Sequence, residues 1–133
     1  MVPVLSILVV DDEELVLQVV VDALEEAGFG VRAAMTGEEA VSILADDPDI
    51  RVLVTDINLQ GAMVGWEVAK KARERTSDMP VVYVTGDSAN EWPVEGVPNS
   101  VLVCKPFAPA QVVTAISQLL NVGNRLGPSA PPT

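Results

Sequence analysis

The sequence predicts an α/β fold, namely a doubly wound, five-stranded parallel sheet with helices on both faces. Short apolar runs of strand length recur along the chain, and stretches with apolar residues at helical spacing separate them. Strands that alternate with helices form parallel βαβ units, and right-handed crossovers place helices on both faces of the sheet. A barrel of eight such units would need about 250 residues, so a chain of 133 residues favours an open sheet.

The first half of the chain contains three predicted strands. Residues 4–10 form a continuous apolar run, which is typical of a strand covered on both faces. The acids of residues 11–14 begin a helix, because carboxylates stabilise a helix N-terminus, and Gly28 ends it. Its predicted core-facing residues are Val16, Val19, Val20, Ala23, Leu24 and Ala27. A strand over residues 31–35, a helix that begins after Thr36 and ends near Asp46, and a strand over residues 52–55 follow.

The second half continues the same alternation. A loop with Gly61 and Gly65 leads into a helix over residues 66–75, and a strand is predicted over residues 81–84. Between residues 86 and 98, three breakers allow only a short or irregular fourth helix: Pro93, Gly96 and Pro98. A strand over residues 101–104 precedes the last helix, which starts at Pro109 and extends to about residue 121.

Length and composition predict one domain with a tail. We expect residues 1–122 to form the domain and residues 123–133 to form a flexible tail rich in Gly and Pro. No apolar stretch approaches the roughly 18 residues of a membrane span, and the N-terminus lacks the basic region of a signal peptide. The single cysteine, Cys104, fits a reducing compartment, and its apolar strand predicts a buried, inert thiol. These features predict a cytoplasmic protein.

Acidic residues dominate the charge of the chain. With 19 Asp and Glu against 8 Lys and Arg, the formal net charge is -11. This charge opposes binding to the phosphates of nucleic acid and to anionic membranes. Most of the acids are expected to lie on the solvated surface, and only those at strand ends are candidates for chemistry.

Polar residues follow four of the predicted strands at the point where each strand ends. They are Asp11 and Asp12, Asp56, Thr85, and Lys105. The carboxyl ends of parallel strands share one edge, and in the flavodoxin-like strand order 2-1-3-4-5 the first and third strands are neighbours at the switch point. We therefore expect the three acids to share one crevice.

Such a crevice needs either a proton or a bound cation to offset its charge. Like charges about 4 Å apart repel by on the order of 4 kcal/mol at an effective dielectric constant near 20, so either one carboxyl is protonated or a metal binds. Hard oxygen ligands favour Mg²⁺ or Mn²⁺. A site with this metal, a Lys and a Thr hydroxyl can hold phosphoryl oxygens while a carboxylate attacks phosphorus. The predicted product is an aspartyl phosphate.

In this order and at these strand ends, the residues resemble the receiver domain of two-component response regulators (CheY-like proteins), over about residues 4–121. The resemblance implies that Asp56 accepts the phosphoryl group, that Thr85 binds it and that Lys105 pairs with it. It also implies a metal site with Asp12 as a direct ligand, Asp11 assisting partly through water, Asp56, and the backbone carbonyl of Asn58. A cis peptide bond is expected between Lys105 and Pro106.

The resemblance further implies a stand-alone, single-domain receiver that takes phosphate from a histidine kinase or histidine phosphotransfer protein. It would signal by contact with a downstream protein, and would assist only its own phosphorylation and dephosphorylation rather than act as an enzyme. The chain contains no histidine, so it is not itself a phosphohistidine donor. The sequence leaves a homodimer open.

Two departures from the family pattern concern the output face. Leu102 stands where receiver domains usually carry Tyr or Phe, three residues before the lysine, and the region of the fourth helix is irregular. We hypothesise that output runs through a rearranged loop between residues 86 and 98. Its Trp92 is either an anchor for a partner or a local plug of the core.

Two other functions remain open from the residues alone. A Mg²⁺-dependent phosphatase of the haloacid dehalogenase type would carry a second Asp two residues after its nucleophile, where this chain has Asn58. An unphosphorylated scaffold would keep the fold without needing the complete set of acids, Thr and Lys.

Overall fold

The computed structural model describes residues 5–86 and 92–125, with the side chains of residues 5–86 and 92–120. Within these ranges strands and helices alternate. The strands are β1 (Ser6–Val10), β2 (Gly30–Ala34), β3 (Ile50–Asp56), β4 (Val81–Thr85) and β5 (Ser100–Cys104). The helices are α1 (Glu14–Glu26), α2 (Gly37–Asp46), α3 (Gly65–Arg75), α4 (Trp92–Glu95) and α5 (Pro109–Arg125).

The described strands form one sheet in the order β2-β1-β3-β4-β5, and all four pairings are parallel. The predicted fold and strand order are therefore confirmed. Helices α2 and α3 pack on one face, and α1 and α5 on the other. Side chains of β1 alternate between the two layers, with Leu8 in the first and Ile7 in the second. This double burial explains why the strands read as continuous apolar runs.

Element boundaries agree with the prediction to within a few residues. The hydroxyl of Thr36 accepts a hydrogen bond from the N–H of Glu39 at 3.1 Å, as expected of an N-cap. The last helix continues to Arg125, beyond the predicted end near residue 121. Residues 1–4 and 126–133 lie outside the described ranges, and the division at residue 122 stays a prediction.

The inner face of α1 differs from the predicted one. Leu17, Val20 and Leu24 are buried, whereas Val19 is 49% exposed and Ala27 is also exposed. Almost every position from residue 15 to residue 21 is apolar, so helical spacing alone allows several overlapping stripes. The packing of α1 against the sheet and α5 selects the row that contains Leu17.

Cys104 is exposed, so the predicted buried thiol is wrong. Its strand, β5, lies at the edge of the described sheet, and the helix before it, α4, has only 4 residues. An edge strand has a neighbour on one side only, and a one-turn helix covers little of its face. An apolar run at a sheet edge therefore does not guarantee burial.

The short fourth helix is confirmed, and Trp92, its first residue, packs against the core. The indole N–H of Trp92 donates to the hydroxyl of Ser100 at 2.9 Å. The hydroxyl of the fully buried Tyr83 accepts a hydrogen bond from the N–H of Val97 at 3.1 Å. These contacts support the interpretation of Trp92 as a core plug. Residues 87–91 of the hypothesised output loop lie outside the described ranges.

Among the described helices, each is too short or too polar to cross a membrane.

Gly65 begins α3 where the helix approaches the end of β3. Its N–H donates to the carbonyl oxygen of Ile57 at 2.9 Å. A Cβ atom at position 65 would overlap the carbonyl oxygen of Asp56 and lie 2.8 Å from the Cα atom of Ile57. The backbone that carries Asp56 can therefore contact α3 this closely only because residue 65 lacks a side chain.

We expect Gly65→Ala to lower the free energy of unfolding by about 1–3 kcal/mol, the usual cost of forcing an extra methyl group into a packed site. Urea denaturation measures the change. Gly86→Ala is the matched control, because a Cβ there meets no atom of the described residues within 4 Å, and its effect should stay within about 0.5 kcal/mol. Equal losses in the two variants would contradict the close approach.

Candidate functional site

The acidic cluster follows from the register of β1 and β3. Val10 pairs with Thr55, so the next residues, Asp11 and Asp56, lie side by side at the carboxyl ends of neighbouring strands. Among the described residues, carboxylate oxygens of Asp11, Asp12 and Asp56 all lie within 4.8 Å of one another. The predicted crevice is therefore present. Asp11 and Asp56 are buried, at 4% and 5% exposure, and Asp12 is half-buried.

The other two predicted site residues follow from the register of β4 and β5. Thr85 pairs with Cys104, and the N–H of Lys105 donates to the carbonyl oxygen of Thr85 at 2.7 Å. Thr85 is fully buried at the end of β4. The peptide bond between Lys105 and Pro106 is cis, as the family resemblance implied.

The Lys105 ammonium group lies over the cluster. Among the described residues, three carboxylates contact it: Glu13 at 2.7 Å, Asp56 at 3.1 Å and Asp11 at 3.5 Å. The Lys105 side chain is 19% exposed, so solvent screens these contacts less than it would screen a surface ion pair. One cation thus joins the carboxyl ends of β1, β3 and β5.

Both oxygens of the Asp56 carboxylate have partners. The Oδ1 atom accepts a hydrogen bond from the N–H of Asn58 at 3.3 Å, and Oδ2 accepts one from Lys105. The carboxylate opens into a cleft of about 550 Å³. The cleft is lined by Asp12, Glu13, Asp56, Asn58, Gly86 and Lys105. Asp56 is therefore buried yet reachable from solvent.

The electrostatics of the cluster oppose full ionisation. Desolvation by burial raises the pKa of Asp11 from 3.8 to about 6, and the charge of Asp56 adds to the rise. Burial also raises the pKa of Asp56, although Lys105 and the N–H of Asn58 act in the opposite direction. Burial alone would lower the pKa of Lys105, but its ion pairs with Glu13 and Asp56 outweigh that effect and raise it. The site therefore has excess negative charge that a cation would relieve.

The donor set fits a small hard cation. Mg²⁺ binds oxygen ligands at about 2.0–2.1 Å and keeps several of its waters, so it needs only a few carboxylates within a few ångströms of one another. Three such carboxylates, all within 4.8 Å, meet this requirement after small movements. A site of this composition can hold a divalent cation next to a carboxylate nucleophile.

Every predicted site residue lies at this edge of the sheet, but sequence reasoning missed one further contact. Glu13 was assigned only to the start of α1, yet its carboxylate makes the shortest of the three ion pairs with Lys105. The signal in the sequence was its position directly after the acidic pair. A side chain there begins at the same sheet edge and is long enough to reach across it.

A family model and a relative of known family match most of this chain. A family model of the response regulator receiver domain matches residues 7–117. The response regulator SaeR of Staphylococcus aureus is 30% identical over 117 residues, which are 86% of this chain and 50% of SaeR. The chain therefore spans about half the length of this relative.

Solved structures extend the similarity to the whole fold. A response regulator receiver protein from Sinorhizobium medicae matches with a TM-score of 0.86 at 43% identity, covering 89% of this chain and 95% of that one. The chemotaxis response regulator CheY4 of Vibrio cholerae matches with a TM-score of 0.77 at 27% identity, covering 88% and 99% of the two chains. With the family model, the sheet order and the acidic cluster in agreement, the chain belongs to the response regulator receiver domain family of two-component systems.

Proposed function

We propose that this receiver domain accepts a phosphoryl group on Asp56, with Mg²⁺ or Mn²⁺ bound beside it, and signals through a downstream protein in the cytoplasm. The observation that carries the proposal is the Asp56 carboxylate itself. It is buried but opens into a cleft, it shares a crevice with Asp11 and Asp12, and its Oδ2 atom lies 3.1 Å from the Lys105 ammonium.

In the proposed step, an Asp56 oxygen attacks the phosphorus atom of a phosphohistidine. A new O–P bond forms while the P–N bond to the imidazole breaks, and the leaving imidazole takes up a proton. Lys105 pairs with a phosphoryl oxygen, and the Thr85 hydroxyl binds another. A metal ion would be held by Asp11, Asp12, Asp56 and the backbone carbonyl of Asn58, and when bound it neutralises charge on the phosphoryl oxygens.

Incubation with acetyl phosphate and Mg²⁺, followed by intact-mass spectrometry, tests the acceptor. We expect one phosphoryl adduct on the wild type and none on Asp56→Asn, because an amide oxygen is a much weaker nucleophile than a carboxylate. Asp49→Asn is the control, since this exposed acid lies at the other end of β3. It should be labelled like the wild type.

The same experiment separates the alternatives. A scaffold would acquire no adduct, and a phosphatase would release phosphate from added phosphoesters through many turnovers. Persistence of the adduct in Asp56→Asn would place the acceptor elsewhere.

Asp11 links the metal to stability. Because folding raises its pKa, the folded state binds a proton on Asp11 more tightly than the unfolded chain does. The resulting stabilisation is present below the unfolded value of 3.8 and is lost as the pH rises through about 6. At neutral pH without metal, ionised Asp11 therefore costs stability.

We expect Asp11→Asn to raise the free energy of unfolding by about 1–3 kcal/mol at pH 7.5 in EDTA, since the amide keeps the shape and the charge is gone. The Oδ1 atom can still accept the N–H of Glu13. Urea denaturation from pH 4 to pH 8 measures the gain, which should shrink towards pH 4. Added Mg²⁺ should stabilise the wild type more than the variant.

Glu25→Gln, which removes an exposed acid from α1, is the control. Its free energy of unfolding should differ little from that of the wild type at each pH, with or without Mg²⁺. Lower stability of Asp11→Asn at pH 7.5 in EDTA would contradict the assigned cost.

An apolar surface next to the site suits the phosphodonor. Leu15 is 83% exposed and Val19 is 49% exposed. They line a hollow of about 490 Å³ together with Val16, Pro106 and Phe107, and Glu13 and Lys105 border it. Exposed apolar groups in one patch are typical of a protein-binding surface. A histidine kinase or histidine phosphotransfer protein must bring its imidazole to Asp56, and a partner bound here would do so.

We expect Leu15→Asp to slow phosphotransfer from a phosphorylated histidine phosphotransfer protein by about 5- to 30-fold, the effect of losing a central interface contact. The rate with acetyl phosphate should not change, because that donor needs no protein surface. Val94→Asp is the matched control, since Val94 is 84% exposed on α4. Transfer of a radiolabelled phosphoryl group measures the rate with each of the two donors. Equal slowing by Leu15→Asp and Val94→Asp would exclude the surface around Leu15 as the binding site of the donor protein.

A further inference from the structure

Glu13 makes a contact that the proposed phosphorylation leaves unexplained. Its Oε1 atom lies 2.7 Å from the Nζ atom of Lys105, closer than either Asp56 at 3.1 Å or Asp11 at 3.5 Å. Charge-assisted N–H···O bonds are typically about 2.7–2.9 Å long. The ammonium is therefore placed nearer to Glu13 than to the proposed acceptor.

The position of Glu13 in the chain favours this contact. It is the N-cap residue of α1, where short side chains are preferred because they fold back onto the first N–H groups. Within the described part of the chain, the Glu13 side chain makes no such bond. Its backbone is held independently, since its N–H donates to Asp11 at 2.8 Å and its carbonyl accepts from Leu17 at 2.9 Å. The side chain is thus available for Lys105.

The three carboxylates around Lys105 differ in exposure. The side chains of Asp11 and Asp56 are 5% and 6% exposed, so the packed ends of β1 and β3 hold them in place. The Glu13 side chain is 60% exposed and contacts the ammonium from the solvent side. If one of the three contacts must break, the contact to Glu13 requires the least rearrangement.

Phosphorylation would change the balance of these contacts. Among the described residues, the ammonium, with its three N–H donors, makes hydrogen bonds to Glu13 and Asp56 and a longer ion pair with Asp11 at 3.5 Å. A phosphoryl oxygen on Asp56 has to draw the ammonium away from Glu13, which lies closest to it, and it also brings negative charge towards the Glu13 carboxylate. We propose that Glu13 is a positioning residue that competes with the phosphoryl group for Lys105 and so slows phosphorylation of Asp56. This inference rests on the proposed function.

The test compares the rates at which the wild type and its variants are phosphorylated by acetyl phosphate in the presence of Mg²⁺. Intact-mass spectrometry measures the phosphoryl adduct over time. We expect Glu13→Gln to be phosphorylated about two- to five-fold faster than the wild type, the range that partly exposed ion pairs allow. Glu13→Asp, with a side chain one methylene shorter, should also be faster, because its carboxylate keeps the charge but is withdrawn from Lys105. Glu14→Gln removes the same charge from the next, exposed residue and should change the rate by less than about 1.5-fold.

The outcomes are distinct. A Glu13→Gln rate equal to or below that of the wild type overturns the inference, and so does equal acceleration in Glu14→Gln, which would indicate a general charge effect. A wild type that takes up no phosphoryl group would instead refute the proposed function, and the inference with it.

Melting curves separate this role from a purely structural one. Glu13→Gln should melt at the same temperature as the wild type. If the Glu13 side chain instead served to cap α1, its replacement would lower the stability and would not raise the rate.

A second readout needs neither metal nor phosphate. Acetic anhydride acetylates lysine amines, and the Glu13 carboxylate accepts a charge-assisted hydrogen bond from the Lys105 Nζ atom at 2.7 Å. We expect Glu13→Gln to make Lys105 about two- to five-fold more reactive relative to Lys70 and Lys71, as peptide mass spectrometry would measure. Unchanged relative reactivity would show that Glu13 does not hold the ammonium, and would overturn the inference.

Discussion

The site depends on holding several carboxylates around one ammonium group at the edge of a sheet. Two like charges about 4 Å apart repel by on the order of 4 kcal/mol at an effective dielectric constant near 20, a substantial fraction of the stability of a small domain. The fold tolerates this because the strands that carry Asp11 and Asp56 are buried on both faces. Apolar packing fixes their ends in place, and Lys105 offsets part of the repulsion.

Backbone geometry makes this placement specific. The β1–β3 register sets Asp11 beside Asp56, and a slip of one residue would turn each side chain to the other face of the sheet. On the other side, the bond from the Lys105 N–H to the Thr85 carbonyl continues the β4–β5 pairing to the end of the strand. The close approach of α3 at Gly65, whose N–H donates to the carbonyl oxygen of Ile57, then fixes the backbone directly after Asp56.

The sequence was sufficient for the sheet and for the residues at its edge, because apolar runs of strand length that stop at Asp11, Asp56 and Lys105 mark the strand ends. It was not sufficient where neighbouring residues are equally apolar. The inner row of α1 could not be chosen from spacing among so many valines and leucines, and the exposure of Cys104 depends on β5 being an edge strand beside a short α4. The position of Glu13 directly after the acidic pair indicates that it begins at the sheet edge, but the contact itself depends on its side chain reaching Lys105, which spacing in the sequence does not specify.

The site divides into a fixed part and an adjustable part. Asp11, Asp56 and Thr85 are almost fully buried, so their positions change only if the strands move. Asp12 and Glu13 lie nearer to solvent, where side chains exchange partners at small cost in free energy. Lys105 contacts both parts, through Asp11 and Asp56 on the buried side and through Glu13 on the solvent side. In the proposed function, substitutions at the solvent side would therefore alter the rate of phosphorylation while the fold that positions Asp56 stays intact.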